Sequence, residues 1–588
     1  MKTKILLGTF ACAALLASCS DEMNYREDTG GKYDKEYMEQ AFSNMRSMVT
    51  DVYSYLDYDY GSWGGAFLGS ASDESEYSIP GVSIETFYNG SWSPTNAQSS
   101  LYDTNYKAIS DANAYLDDFS EGLKFPEHEL DDEYKDQMEQ YINYFPYEVR
   151  FLRAYYYFQL VRQYGALPLV TKKIDKNEVN NLERTPAKEI FEFIDKECAE
   201  VAEHLPLQWS QATSAVATGE QLRATRIAVL ALRARAALYA ASPLFNTDND
   251  QNLWKEAAIK NKAVIDACLG EGFKLEDYSN VWGRNTSVIG PTHEIIFVRP
   301  VGTQNKLVRL EQRNFPVGIN GGGGGGNCPT QTFVEAFDMK DGSLVDWSNP
   351  AKAVAQFSNF DPRFTKTVAV NGEKKWPFYN TTALQTYYNG ANGQPTTGGT
   401  TTSYYLKKLM GSTVDLRSNK NIGERHSWVI FRMGEFYLNY AEAVYKWLGT
   451  ETVAPSGTEF ESGYKASALD ALNVTRTRGG VAALTEEQSA ERGFWNCYEK
   501  ERMIELSFEG HRFWDVRRWK EGDKFSGKNI YVMNITKNAD GTFSYERENL
   551  AEERNNWEDK MYLFPIPLTE MLKHDRYGVK WQQNPGWE

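Results

Sequence analysis

The chain has 588 residues, enough to bury most of its surface around its own core, and carries 63 basic against 80 acidic side chains for a formal net charge of −17. This acidic average disfavours nucleic acid and strongly polyanionic substrates, both of which reward basic surfaces, unless a local basic patch overrides it. Six cysteines and six histidines, with no C-x-x-C, no H-E-x-x-H and no close histidine pair, give no zinc signature.

Lys2 and Lys4 precede an apolar stretch at 5–17, about 13 residues where roughly 20 cross a bilayer. The stretch ends in Leu16-Ala17-Ser18-Cys19. Residues 1–18 therefore read as a signal peptide with a lipobox, and Cys19 as the acylated first residue of the mature chain. Cleavage removes two lysines and takes the net charge from −17 to −19. At about 0.8 kcal/mol per buried CH₂, stable anchoring needs more than one acyl chain on that cysteine. Residues 19–34, with Asp21 and Glu22 just after Cys19, read as a polar tether.

Helical periodicity predicts helices over 37–58, 101–119 and 147–164, the last carrying Phe151, Tyr155, Phe158 and Val161 at three- and four-residue spacings. Gly165 and Pro168 stop that helix, and Thr185-Pro186 reads as the N-cap and first position of the next. Over 222–241 the residues Ala224, Ala228, Ala231, Ala234, Ala237 and Ala241 form a methyl strip that lets a neighbouring helix approach closely. Helix pairs stacked through small faces build tetratricopeptide-type solenoids, although no clean sequence repeat accompanies them here.

Between 274 and 430 the pattern turns to short β-type runs at 294–298 and 429–431, separated by Gly, Asn, Thr and Pro. Trp282, Phe315, Trp347, Trp376, Tyr379, Tyr387 and Tyr388 lie here. Helices resume over 432–448, 464–478 and 490–508, and the chain closes through Pro565-Ile566-Pro567. Aromatic residues make up 14% of the chain at a mean hydropathy of −0.56. Many rings are thus expected at partly wet surfaces, which suits a sugar binder.

Other patterns have plainer readings. Glu501, Arg502, Glu505, Glu509, Arg512, Asp515, Arg517 and Arg518 are expected to form an ion-pair network; carboxylates among arginines stay ionised, which is wrong for the general acid of a glycosidase. Asn246, Asp248, Asp250 and Asn252 resemble the start of a calcium loop, but Gln251 replaces the turn glycine and Ala257 the bidentate glutamate, so a solvated loop is expected and no cofactor is required. The glycines at 321–326 precede Asn327-Cys328-Pro329 rather than Lys-Ser/Thr, so they form no phosphate loop; a mobile loop near the ligand face is expected. Cys198, Cys268, Cys328 and Cys497 leave one or two disulfides open, with no pairing fixed.

Several motifs, taken in order, then carry a resemblance: Asn105-Tyr106-Lys107-Ala108-Ile109 with Ala112-Asn113; 148–169 (EVRFLRAYYYFQLVRQYGALPL); Ala241-Ser242-Pro243-Leu244-Phe245-Asn246; Pro329-Thr330-Gln331 with Ala336-Phe337-Asp338; Asp361-Pro362-Arg363; 432–443 (RMGEFYLNYAEA); 473–478 (NVTRTR); 501–519 (ERMIELSFEGHRFWDVRRW); and Asn584-Pro585-Gly586. The sequence resembles the SusD/RagB family of outer-membrane nutrient-binding lipoproteins over nearly all of its mature length.

The resemblance implies a mainly α, SusD-like domain over 35–588. A tetratricopeptide-like helix-pair scaffold would span 35–270 and 432–520, and an irregular, minor-β ligand-binding portion about 60–100 and 274–430. It implies a non-enzymatic, lipid-anchored protein on the outer surface of the outer membrane, which captures oligosaccharides or polysaccharides for a SusC-like TonB-dependent transporter. Capture of peptides or other nutrients, as in RagB-type relatives, and glycoside hydrolysis are the alternatives. The segments that supply glycan contacts in the family hold Trp63, Asp73, Glu74, Trp92 and Asn96, then Trp282, Phe315 and Asn320, with Trp92 for stacking and Asn96 for hydrogen bonding as the leading pair.

Overall fold

The computed structural model describes residues 34–126, 131–211, 222–282, 294–301, 309–424, 426–551 and 554–588. The signal peptide, Cys19 and the tether up to residue 33 lie outside the described residues.

The helical segments follow the predicted periodicity with shifted ends. The stretch predicted at 37–58 breaks at the extended Ala41 into a short turn, Lys35–Gln40, and helix α1, Phe42–Ser54. Helix α2 is Ser100–Asp118 and α3 is Phe145–Tyr164, closed by Gly165 at φ 67°. Helix α4, Ala187–Ala202, starts one residue later than predicted, with Pro186 as its N-cap, because Thr185 is drawn into a β-bridge with Leu167. Thr225 caps α5, Arg226–Ala241, by accepting from the Ala228 amide. Helix α6 is Gln251–Gly270, α7 Met433–Leu448, α8 Ala468–Gly479, α9 Phe494–Glu505 and α10 Arg512–Arg518. The helix predicted at 490–508 is thus only partly continuous: Gly493, at φ 76°, separates α9 from the short turn before it.

From α2 to α8 each helix packs on the next, the serial arrangement of a helical solenoid. The methyl strip makes this close packing feasible. Ala228, Ala231 and Ala234 are fully buried on α5, between α4 and α6. Helix α3 is buried nearly all round, so its apolar residues need no single face.

Between the helices lie antiparallel two-stranded ladders: β1 (Ser75–Tyr77) with β3 (Asn327–Pro329), β2 (Ile295–Val301) with β6 (His426–Arg432), β4 (Val368–Ala369) with β5 (Tyr405–Leu406), and β7 (Tyr531–Lys537) with β8 (Phe543–Asn549). The two runs predicted at 294–298 and 429–431 pair with each other as β2 and β6, and β6 feeds directly into α7.

The aromatic residues depart from expectation. Most rings are buried, and several of the polar tips that lowered the mean hydropathy find partners inside. Tyr53 donates to Glu148 and Tyr156 to the Val52 carbonyl, each at 2.5 Å; Tyr157 donates to Val170 O and Tyr404 to Gln331, at 2.8 and 2.7 Å. A phenol whose hydroxyl is satisfied by a carbonyl or carboxylate can enter a core at little cost. The cysteines at 198, 268, 328 and 497 are free buried thiols, so no disulfide joins them.

Candidate functional site

Most of the charged motif residues enter buried ion pairs, as expected from their sequence; Arg517 does not, and instead lies over the Phe513 ring and donates to the carbonyls of Met561 and Phe513. Arg432 leaves the end of β6 and reaches three carboxylates: Glu294 at 2.8 Å, Glu505 at 2.7 Å, and Glu509 with both oxygens at 2.7 and 2.9 Å. Arg363, fully buried, binds Asp361, Glu501 and Glu505. Burial alone would raise the Glu505 carboxyl, yet Arg478, Arg432 and Arg363 hold it well below the usual carboxylate range. These ion pairs hold the scaffold together. Asp250, read as part of a loop, caps α6 by accepting from the Asn252 amide, and the buried Asn246 side chain ties Ala241 O to Asp250.

The sequence-predicted contact residues divide sharply. Trp63 and Trp92 are brought together, but within the core: both set their rings edge-on to Phe87, at 5.0 and 4.8 Å, and Trp92 also packs on Phe564 and Trp587. With only 4% of Trp92 exposed, it offers no open face for a sugar. Phe315 is fully buried beside Trp376. These three rings are corrected to core positions, because other aromatic rings, Phe87, Phe564, Trp587 and Trp376, pack against them. Asp73 forms a two-pronged ion pair with Arg512, at 2.8 and 2.7 Å. Asn96 is partly exposed and bonds Ser91 O and Gln98, whereas Asn320 is exposed. Trp282 ends the short helix Tyr278–Trp282, and its side chain lies outside the described residues.

Glu74 is 1% exposed and its carboxylate oxygens have no side-chain hydrogen-bond donor. Burial and the adjacent Asp73 push its carboxyl up to about 8, against the pull of Arg512 and Lys408. The folded protein keeps a proton that the unfolded chain releases near pH 4.5, so Glu74 costs stability increasingly as pH rises from about 4.5 to 8. Glu74→Gln should therefore leave urea unfolding unchanged at pH 4 and stabilise the fold at pH 8.5 by on the order of 2–4 kcal/mol. Equal effects at both pH values would refute this assignment.

The ligand-sized opening lies elsewhere in the segments predicted to bind. A cleft of about 920 Å³ is bounded by residues 76–89, by 386–403 and by the β7–β8 ladder. Tyr388 stands at its rim with 55% of the residue exposed, one of few large aromatic side chains so open. Its backbone amide donates to Ile535 O on β7, while the neighbouring Tyr387 ring packs on Phe543 of β8 at 5.3 Å. The ring is thus presented by a clamped backbone. Asn89, Gln394, Thr396, Thr397 and Asn534 line the same cleft with amides and hydroxyls. The buried Thr386 hydroxyl, which also lines the cleft, has no protein partner. Beneath, Arg554 stacks on Tyr88 at 4.5 Å, pairs with Glu76 at 2.5 Å, and donates to the carbonyls of Ser70, Ser72 and Ser75.

The glycine run forms part of this frame, packed backbone against backbone. Gly325 has φ +88°, and a Cβ there would lie 1.8 Å from the Gly398 carbonyl oxygen; one on Gly323 would lie 2.6 Å from Gln312 O and Phe315 O. Only glycine lets these backbones meet. Gly398 in turn lines the cleft, so the run stands behind this face as closely packed backbone.

A second cleft, of about 850 Å³, is crowded with ion pairs. There burial and hydrogen-bonded Glu521 push Glu499 up, while Glu499 and Lys524 hold Glu521 down against the opposing effect of burial. Two carboxyls sharing a proton at contact stand too close to flank a glycosidic bond, which needs about 5 to 9.5 Å between them. Sequence reasoning missed Tyr388 as a site residue. It did single out the aromatic-rich 274–430 stretch, and the hydroxyl-rich run Thr396, Thr397, Thr400, Thr401 was the further signal available.

Against this geometry, a model of the SusD family matches residues 293–587. The chain belongs to the SusD family. A second model, described as starch-binding and associating with the outer membrane, matches residues 31–238. The SusD-like protein P2 of Formosa agariphila is 24% identical over 452 residues, covering 74% of this chain and 73% of that protein. A SusD-like protein from Bacteroides fragilis superposes with a TM-score of 0.71 at 22% identity, over 97% of this chain and 100% of that one. A SusD-like carbohydrate-binding protein from the same organism gives 0.69 at 20% identity, over 91% and 99%. A laminarin-binding SusD-like protein gives 0.60 at 19% identity, over 93% and 100%. The mainly α SusD-like fold read from the motifs is the fold these structures share.

Proposed function

We propose that the protein is a cell-surface glycan-binding lipoprotein, anchored through Cys19 in the outer membrane, which captures oligosaccharide or polysaccharide in the Tyr388 cleft and passes it to a SusC-like TonB-dependent transporter. The observation that carries this reading is a half-open tyrosine ring held at the mouth of a cleft of amides and hydroxyls. An aromatic face stacks on the C–H side of a sugar ring, and neutral donors and acceptors bracket its hydroxyls. Membership of the family, and relatives described as carbohydrate-binding and laminarin-binding, support the same ligand class.

Tyr388→Ala should weaken retardation in glycan-loaded native gels at least tenfold while leaving the unfolding midpoint unchanged, because the ring is mostly outside the core. Unaltered retardation refutes this site. Chromatography of glycan incubated with the protein should show no shortened product; the appearance of one makes the protein a hydrolase. Cys19→Ala should move the protein from the membrane to the soluble fraction, since acyl chains supply the anchor. Continued sedimentation with membranes would disprove the lipid assignment.

A further inference from the structure

We infer that the cleft selects uncharged glycans, with Glu85 and Glu548 as its specificity-determining residues; this rests on the glycan-binding reading above. No lysine, arginine or histidine is among the described residues that line the cleft, whereas three glutamates are. Glu76 is neutralised by Arg554 at 2.5 Å. The other two belong to different lining segments, one to the 76–89 segment and one to β8. Glu85 spends one oxygen on the Gly81 amide at 2.6 Å, and Glu548 one on the Asn534 amide at 3.3 Å. Each keeps a second oxygen to accept from a ligand.

A carboxylate accepts well from a sugar hydroxyl, particularly from adjacent hydroxyls that it can bridge, and charge assistance makes that bond stronger than one to a neutral acceptor. The same group repels a sulfate ester or a uronate. In a cleft whose described lining holds no cation, the repulsion from two negative charges acts on every anionic residue of a chain lying in it. The Thr386 hydroxyl without a partner is a neutral group of the kind that a sugar hydroxyl satisfies. The acidic average of the whole sequence thus holds locally, where it decides selectivity.

The test is affinity electrophoresis of the folded protein in gels cast with α-glucan, β-glucan, xylan or galactan, each unmodified or chemically sulfated. At least one unmodified glycan should retard the protein, with its sulfated form binding at least tenfold more weakly and the gap narrowing at 0.5 M salt. The double variant Glu85→Lys, Glu548→Lys should reverse the order, and Glu548→Gln alone, an exposed change, should narrow the gap. Retardation by a sulfated glycan equal to or stronger than that by its parent overturns the inference, as does the absence of retardation by every unmodified glycan. Tyr388→Ala separates the two claims: if it leaves binding intact, the site reading fails; if it abolishes binding while the sulfated forms bind best, only the charge selection fails.

Discussion

Arg432→Ala should unfold at a urea midpoint corresponding to a loss of about 3–5 kcal/mol. The guanidinium is 2% exposed and satisfies Glu294, Glu505 and Glu509 together. Removing it leaves three carboxylates in a dry space with too few cations, and the cost is the desolvation of charges that nothing then offsets. The defect should depend on pH. Glu505 is held well below its usual range in the fold, so its contribution is present above about pH 4.5 and is lost as pH falls. The gap between parent and variant should therefore hold from pH 7 to about 4.5 and shrink as the pH falls further. A pH-independent difference below 1 kcal/mol would show that the network is not ionised as described.

Gly325→Ala should cost at least ~3 kcal/mol and abolish glycan retardation although no ligand contact is removed. The added methyl meets the Gly398 carbonyl oxygen at 1.8 Å, a backbone atom that cannot rotate away, and φ +88° is strained for any side chain. Relief requires the 396–403 segment to move off the 313–327 segment, which displaces one wall of the cleft. Gly372→Ala offers the comparison: that glycine has a similar φ of +83° but nothing within 4 Å of the added carbon, so it should show the backbone strain without the collision. If both variants behave alike, the packed crossing is not what holds the wall.

The framework of helices was legible because its signals are local. Spacing gave α3 and α5, Gly165 and Pro168 stopped α3, and the methyl strip announced a close helix neighbour. The carboxylates and arginines of 501–518 were legible as partners because their number balances over a short run, although Arg363 and Arg432, their crossing partners, are remote in sequence. The ligand site was legible only as two segments. Whether a tryptophan faces solvent or Phe564 is decided by residues hundreds of positions away, and nothing near Trp92 records that Trp587 will cover it. The same distance hid the role of Tyr388, whose presentation depends on a strand beginning at Tyr531.

Arg554 has a temporal consequence. It fastens the 70–76 segment from a position more than 470 residues later, and β1 likewise waits for β3. As the polypeptide emerges from its N-terminus, the helices can settle one after another on their neighbours, but the cleft stays incomplete until almost the last stretch has appeared. A chain halted before Arg554 would be largely helical and unable to hold its ligand, so competence for capture arrives late and all at once.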